Sequence, residues 1–258
     1  LFTIGVAGTH GKTTTSSIIT HVLNNSSFPV NAFLGGISSN LNSNFLLNKK
    51  AETVVVEADE YDRSFLTLSP NIAVVTSMDA DHLDIYGEHS YLTESFEKYV
   101  AKLPSDGILI KRKGLLVAHN NTLEYAVGEK ADYYATNINI INGEYHFDIV
   151  TPQERVKDVV LGMPGLHNVE NAVAAITVGI QLGISISSIV AALKSFKGVK
   201  RRFEYHVKTD AVVYIDDYAH HPAELKACIK SVKEMYPAKK ITGVFQPHLY
   251  SRTRDFAD

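Results

Sequence analysis

The chain opens on a short apolar run, Phe2-Thr3-Ile4-Gly5-Val6-Ala7, and its period then changes: Ile18, Ile19, Val22 and Leu23 are spaced like the buried stripe of an amphipathic helix. The pattern predicts strand, turn and helix in that order. Phe33-Leu34-Gly35-Gly36-Ile37 reads as a glycine-rich segment, followed by a polar loop holding Asn40, Asn42 and Asn44. Thr53-Val54-Val55-Val56 and Ile72-Ala73-Val74-Val75-Thr76 are continuous β-branched and apolar runs, as in strands buried on both faces of a parallel sheet. A helical pattern covers residues 90–103, and 107–110 reads as a further strand. From 132 to 150 the period falls to two on either side of Asn142-Gly143, a strong hairpin signal. An alanine-rich helix over 168–182 stops at Gly183, and another is predicted over 187–196.

Around 197–202 the pattern resets, with Gly198 and the basic cluster Lys200-Arg201-Arg202. A new unit follows: a strand over 211–215, a helix from about 222 to 235 and a strand over 241–245. A domain boundary is expected near residue 198, dividing the chain into 1–198 and 199–258. Strands alternating with helices argue an α/β fold, a mostly parallel sheet flanked by helices, followed by the start of a second, Rossmann-like α/β domain. There is no internal repeat and no low-complexity tract.

Composition narrows the function classes. With 258 residues the chain can bury a sizeable core, and 45% hydrophobic and 21% charged residues are ordinary globular values. A formal net charge of −3 gives no reason to expect nucleic acid or an anionic membrane as partner. The single cysteine, Cys228, excludes an internal disulfide and fits a reducing, cytoplasmic compartment. No apolar run has membrane-spanning length. The chain starts at Leu1, one residue before a strand pattern, and stops soon after another; both ends read as cut, so a longer protein is expected.

The chemistry concentrates at strand ends. Gly8-Thr9-His10-Gly11-Lys12-Thr13-Thr14-Thr15 lies between the first strand and the first helix. Small residues there let backbone N–H groups turn inward, and a helix N-terminus adds partial positive charge, the ingredients of a phosphate site. Lys12 is placed to reach β- and γ-phosphates, and the Thr13 hydroxyl to ligate Mg²⁺. Val6 stands where the general phosphate-loop pattern has a glycine. Glu57 closes one strand; Asp79, Asp81 and His82 follow another. Ligands of open parallel sheets lie beyond such strand ends. For Glu57 a Mg²⁺ partner and a solvated carboxylate are both open; for His82, a functional and a structural role. Asp59, Glu60, Asp62 and Asp84 read as solvated or as neighbours of the metal ligands. Asn168 reads as the N-cap of its helix or as an amide facing a base, and Asp216 and Asp217 as caps of the helix after Pro222.

Gly8 to Thr14, Glu57-Ala58-Asp59-Glu60 and Asp81-His82-Leu83-Asp84 together resemble the central domain of the Mur ligases, ATP-dependent amide-forming enzymes of peptidoglycan synthesis, in which the departure at Val6 is usual. The resemblance runs from Leu1 to Asp258. It implies ATP and Mg²⁺ as cofactors, with Gly8, Thr9, His10, Gly11, Lys12, Thr13 and Thr14 around the phosphates and Thr13, Glu57 and His82 on metal. His167-Asn168-Val169-Glu170-Asn171 resembles the family's adenine-side helix start, with Asn168 and Asn171 on the nucleotide. Arg201-Arg202-Phe203-Glu204 and Asp216-Asp217-Tyr218-Ala219-His220-His221-Pro222 resemble the start of its third domain, with Arg202 at the γ-phosphate and Asp217 at the ribose. Gln246-Pro247-His248-Leu249-Tyr250-Ser251-Arg252-Thr253-Arg254 is similar to a segment of the alanine-adding branch, which implies His248 and Arg252 facing substrate; a solvated basic loop is the other reading, and Leu249 stands where that branch often has Arg. Several relatives carry a carbamoylated lysine fourteen positions after the histidine; here that residue is Phe96. The implied substrates are UDP-N-acetylmuramate and L-alanine, and the implied catalytic set is Lys12, Glu57, His82 and Arg202. A murein tripeptide-recycling ligase, a folate-type amide ligase and a regulatory ATP-binding module are the alternatives.

Overall fold

In the computed structural model, which describes residues 1–79, 86 and 89–247, strand β1 (Phe2–Ala7) is the axis of the sheet. It pairs in parallel with β4 (Thr53–Glu57) on one side and β5 (Ile72–Val75) on the other. Beyond β4 come β2 (Val30–Ser38), also parallel, and the antiparallel edge strand β3 (Ser43–Leu46). Beyond β5 come the parallel strands β6 (Ile108–Arg112), β7 (Thr122–Val127) and β8 (Tyr133–Ile141). β9 (Glu144–Val150) and β10 (Arg155–Leu161) complete the sheet antiparallel, giving the order β10-β9-β8-β7-β6-β5-β1-β4-β2-β3. The chain leaves β1 toward β2 and later returns to β5 on the other side. The carboxyl end of β1 is thus a point where the connections diverge, the place such sheets leave open for a ligand.

Alternation along the strands sorts the core into two layers. Ile4, Val6, Ile72, Val74 and Ile110 face the helices α1 (Lys12–Asn25), α3 (Leu166–Gln181) and α4 (Ile186–Ser195). Ala7, Ala73, Val75 and Leu109 face α2 (His89–Val100) and a 3₁₀ turn, Ser64–Thr67. The small alanines on this second face admit large rings: Phe65 stacks on Tyr99 at 5.1 Å and meets Phe96 edge-on at 5.5 Å. Phe96, at the position where several relatives carry a modified lysine, is fully buried in this layer.

The hairpin signal is realised: Ile141 pairs Glu144, and Asn142 and Gly143 both have positive φ, 53° and 77°, as a type I′ turn requires. The glycine-rich segment 33–37, to which the sequence pattern assigns no element, lies within β2. A Cβ at Gly35 would stand 2.3 Å from Glu57 Oε2, so glycine here lets the strand approach the neighbouring strand's terminal carboxylate.

The later unit begins with an antiparallel pair, β11 (Glu204–Lys208) and β12 (Val213–Asp216), then α5 (Pro222–Met235). β11 was not visible in the apolar pattern because its residues are mostly half-buried or exposed. Residues 241–245 do not form the expected strand; among the described residues nothing pairs with them, and Val244 is 98% exposed. Two cap assignments also change. The N-cap of α3 is Gly165, with Asn168 inside the first turn donating to Pro164 O. The cap of α5 is His221, in a reciprocal capping box with Glu224, which leaves Asp216 and Asp217 free of that role. Among the described residues no helix is long and apolar enough to cross a membrane.

Truncating Phe96 removes the ring that Phe65 packs against edge-on. Phe96→Ala should cost about 3–5 kcal/mol, read as a fall in the denaturant midpoint at constant slope; an unchanged midpoint would show that this layer is not packed as described.

Candidate functional site

The loop after β1 is held open by its glycines. Gly8 and Gly11 have φ of 142° and 83°; a Cβ at Gly8 would lie 2.1 Å from Thr76 Oγ1, and one at Gly11 2.7 Å from Asn171 Oδ1. The loop is then pinned to the residues after β5. His10 N donates to Ser77 Oγ at 2.7 Å, Thr9 Oγ1 and Ser77 Oγ share a hydrogen bond at 3.0 Å, and Asp79 N donates to Thr9 Oγ1 at 3.1 Å. On the helix side Thr15 Oγ1 donates to Asn171 Oδ1 at 3.1 Å. Side chains thus add to the backbone bonds Thr76 N to Ala7 O and Thr9 N to Ser77 O, and α1 starts at Lys12 with its N-terminal N–H groups at the loop.

Lys12 Nζ donates to Gly8 O at 2.8 Å and to Glu60 Oε1 at 2.9 Å, with Glu60 Oε2 at 2.8 Å and Asp59 Oδ1 at 3.7 Å completing its ion pairs. Glu60 is fully buried, which removes the solvated one of its two readings: it is the counter-charge of the loop lysine. Burial pulls the Lys12 amine down, but the charge and hydrogen bond of Glu60 outweigh it and hold the ammonium above the usual lysine value. At the next residue, Thr13 Oγ1 donates to Glu57 Oε1 at 3.0 Å, while Gly35 N donates to Oε2 at 2.8 Å. A hydroxyl and a carboxylate side by side, in a cradle that a Cβ at Gly35 would fill, form a hard oxygen donor set of the kind Mg²⁺ takes.

Beside this loop is a cavity of about 300 Å³, walled by the loop and the start of α3 on one side and by the later unit on the other. Asn168 and Asn171 belong to the first wall, linked by Asn171 Nδ2 donating to Asn168 Oδ1 at 3.3 Å. Arg202 and Asp217 belong to the second. The Arg202 guanidinium lies over the Tyr218 ring at 5.3 Å, and Asp217 accepts from the N–H groups of Phe203 and Ala219 at 2.8 and 2.7 Å. Burial pushes the Asp217 carboxyl up, against those two hydrogen bonds. His167, also in the wall, is pushed down to about 4 by burial, with Glu224 opposing and Arg202 assisting.

The structure therefore gathers His10, Gly11, Thr13, Thr14, Asn168, Asn171, Arg202 and Asp217 around one cavity, with Gly8, Thr9, Lys12 and Glu57 in the adjoining loop and strand end. His82, His248 and Arg252 lie outside the described residues. Sequence reasoning passed over Thr76, Ser77 and Glu224 and did not mark Glu60 as buried. Thr76 and Ser77 carry the loop through side-chain hydrogen bonds that no pattern announces. Glu224 faces both His10 and Arg202, and its place three residues after His221 is the spacing of a capping box, which could have flagged it. Glu60 stood in an acidic cluster with nothing in the sequence to mark its burial.

Comparison with known proteins gives the family and supports the fold. The profile of the Mur ligase middle domain matches residues 6–179, and that of the Mur ligase glutamate ligase domain matches 201–258. The UDP-N-acetylmuramate–L-alanine ligase of Christiangramia forsetii is 52% identical over 257 residues, covering 100% of this chain and 56% of the relative. That of Parabacteroides distasonis is 51% identical, covering 98% and 56%. The chain thus spans about half the length of the curated relatives it matches. Among solved structures, the UDP-N-acetylmuramate–alanine ligase of Thermotoga maritima superposes with a TM-score of 0.84 at 30% identity, covering 96% of this chain and 57% of that one. The MurF ligase of the same organism, solved with ADP, shares the fold with a TM-score of 0.76 at 20% identity, covering 90% of this chain and 57% of that one. The chain belongs to the Mur ligase family.

Proposed function

We propose that this chain is the ATP-binding and catalytic portion of a cytoplasmic ligase that joins L-alanine to UDP-N-acetylmuramate in peptidoglycan precursor synthesis. The observation that carries the reading is the meeting, at one end of β1, of a loop lysine, a hydroxyl–carboxylate pair and a two-walled cavity. The full-length relatives at 50% identity and above are named for this activity.

A carboxylate is a poor electrophile, and bound ATP with Mg²⁺ supplies the phosphoryl group that turns the muramate carboxylate into an acyl phosphate for the alanine amine to attack. The chain's part is positioning and charge neutralisation. Lys12 holds a permanent ammonium at the loop. Thr13 and Glu57 offer the oxygen ligands for Mg²⁺, and the resemblance adds His82 as a second ligand. Arg202 brings a guanidinium from the later unit toward the γ-phosphate. Asn168, Asn171 and Asp217 take the nucleoside side of the cavity. His167 stays neutral, so it adds no cation to the cavity wall. His248 and Arg252 face the sugar-nucleotide carboxylate or the amino acid.

The test is phosphate release by the full-length protein given UDP-N-acetylmuramate, ATP and Mg²⁺. L-alanine should support it where a tripeptide or glutamate does not, and ADP formation indifferent to the acceptor would overturn the reading. Lys12→Ala alone would strand the buried Glu60 carboxylate at a cost of about 3–5 kcal/mol, so it is paired with Glu60→Gln. The double variant should fold and turn over at least about a hundredfold more slowly; near-normal turnover would remove Lys12 from the mechanism. Glu57→Gln should raise the Mg²⁺ needed for half-maximal rate by about 10–100-fold, and an unshifted metal titration would exclude Glu57 as a ligand. The His167 ring signal should titrate near pH 4 by NMR. Its value lies below the ordinary 6.5, so the unfolded chain takes up the proton first as pH falls. The stability this ring contributes is complete above pH 6.5 and is lost down to about pH 4; a midpoint near 6.5 would place the ring in solvent.

A further inference from the structure

Glu224, which neither the motifs nor the proposed chemistry uses, stands where the two walls of the cavity meet. Its place on α5 is fixed locally: it is the third residue of the helix, and its Oε2 accepts the backbone N–H groups of His220 and His221 at 3.1 and 3.3 Å. That leaves Oε1 directed across the cavity mouth, 3.3 Å from Nδ1 of His10 in the phosphate loop and 4.0 Å from Nη1 of Arg202. His10 is fixed from behind, its N–H on Ser77 Oγ and its carbonyl accepting the Thr76 and Ser77 hydroxyls. Its ring reaches forward, packs against the His221 ring at 4.6 Å and has Asp79 Oδ2 3.6 Å from Nε2 on its other edge. Burial raises the Glu224 carboxyl, but His10 and His220 outweigh it and hold the group below the usual glutamate range, so it keeps its charge. Both side chains are largely enclosed, 17% and 18% exposed, so the contact is held in place by the packing around it.

We infer that Glu224 is a positioning residue: through His10 it couples α5 to the phosphate loop, and through Arg202 it aims a cation of the later unit into the cavity. The loop that receives phosphates and the unit that closes over them are then tied by one carboxylate. A nucleotide bound between the walls gains from a gap already set to width. This rests on the reading of the cavity as the nucleotide site.

The test uses the full-length protein with Glu224→Gln, which keeps an acceptor for the capping N–H groups, His10→Ala, and the double variant. In the nucleotide-free protein, hydrogen exchange of the amides over 8–14 should speed up about tenfold in each single variant. The double should go no further, and β1 amides should be unchanged. Mg²⁺-ATP affinity by calorimetry should fall about tenfold in each single variant with the same lack of additivity. A purely local capping role would speed exchange at α5 alone and leave ATP affinity intact, which overturns the inference. So would a double variant showing the product of the two single effects. If the wild type binds no ATP, the nucleotide reading fails, and the exchange data still decide the coupling. If the wild type binds ATP and the Lys12 variant does not, an unaltered Glu224→Gln titration sinks the positioning role alone.

Discussion

A lysine ammonium enclosed by protein persists only with a partner, and the Lys12–Glu60 pair supplies it. Lys12 opens α1, and Glu60 lies three residues beyond β4, so the pair ties the start of a helix to the chain leaving the neighbouring strand. Gly8 O takes another of the three ammonium protons, closing the lysine back onto its own loop. The arrangement fixes a positive charge at the carboxyl end of the sheet without relying on solvent. It also explains why the acidic run Asp59-Glu60 follows the strand that ends in Glu57: one carboxylate faces the hydroxyl of Thr13, the next two surround the lysine.

The site is shaped as much by missing side chains as by those present. Gly8, Gly11 and Gly35 each sit where a Cβ would overlap a polar atom: a threonine hydroxyl, an asparagine oxygen and a glutamate carboxylate respectively. These are the hydrogen-bonding groups that hold the loop and orient Glu57. Substituting any of the three would force a functional side chain aside before disturbing the apolar core. Gly35 in β2 and the glycines of the loop after β1 therefore serve one purpose, close approach of backbone to polar side chains.

Much of this was legible because periodicity reports burial. The runs at 53–56 and 72–76 read as interior strands, and Ile18, Ile19, Val22 and Leu23 are each almost wholly buried on α1. The Asn142-Gly143 turn was legible because few residues tolerate two successive positive φ values. What failed has physical causes. Segment 33–37 hid a strand because glycine carries no pattern, though Leu34 inside it is 5% exposed. The strand expected at 241–245 has the right residues but no partner among those described, and β-propensity without a neighbour forms no ladder. The cap of α3 was placed three residues late because asparagine is the usual signal, whereas here Gly165 takes φ 108° and Asn168 turns inward. The partners of the loop, Thr76, Ser77, Glu60 and Glu224, are remote in sequence, and only the folded sheet and α5 bring them to it.

The cavity's charge bears on what can enter it. Its walls carry four carboxylates, Asp79, Glu170, Asp217 and Glu224, against two guanidiniums, Arg112 and Arg202. Arg112 is already committed to Glu170 at 3.0 Å, and Arg202 is shared between Glu224 and the Tyr218 ring. A bare polyanion meets a net negative wall there, so on the proposed reading the triphosphate brings its divalent cation with it and draws on Lys12 and Arg202 for the remaining positive charge. The oxygen donors of Thr13 and Glu57 lie on the Lys12 side of the site, where the cation would be held while the neutral nucleoside occupies the acidic side. On the proposed reading, charge divides the site into a phosphate end and a nucleoside end, and a ligand carrying negative charge at both ends is disfavoured by carboxylates that a ribose hydroxyl can satisfy as a donor.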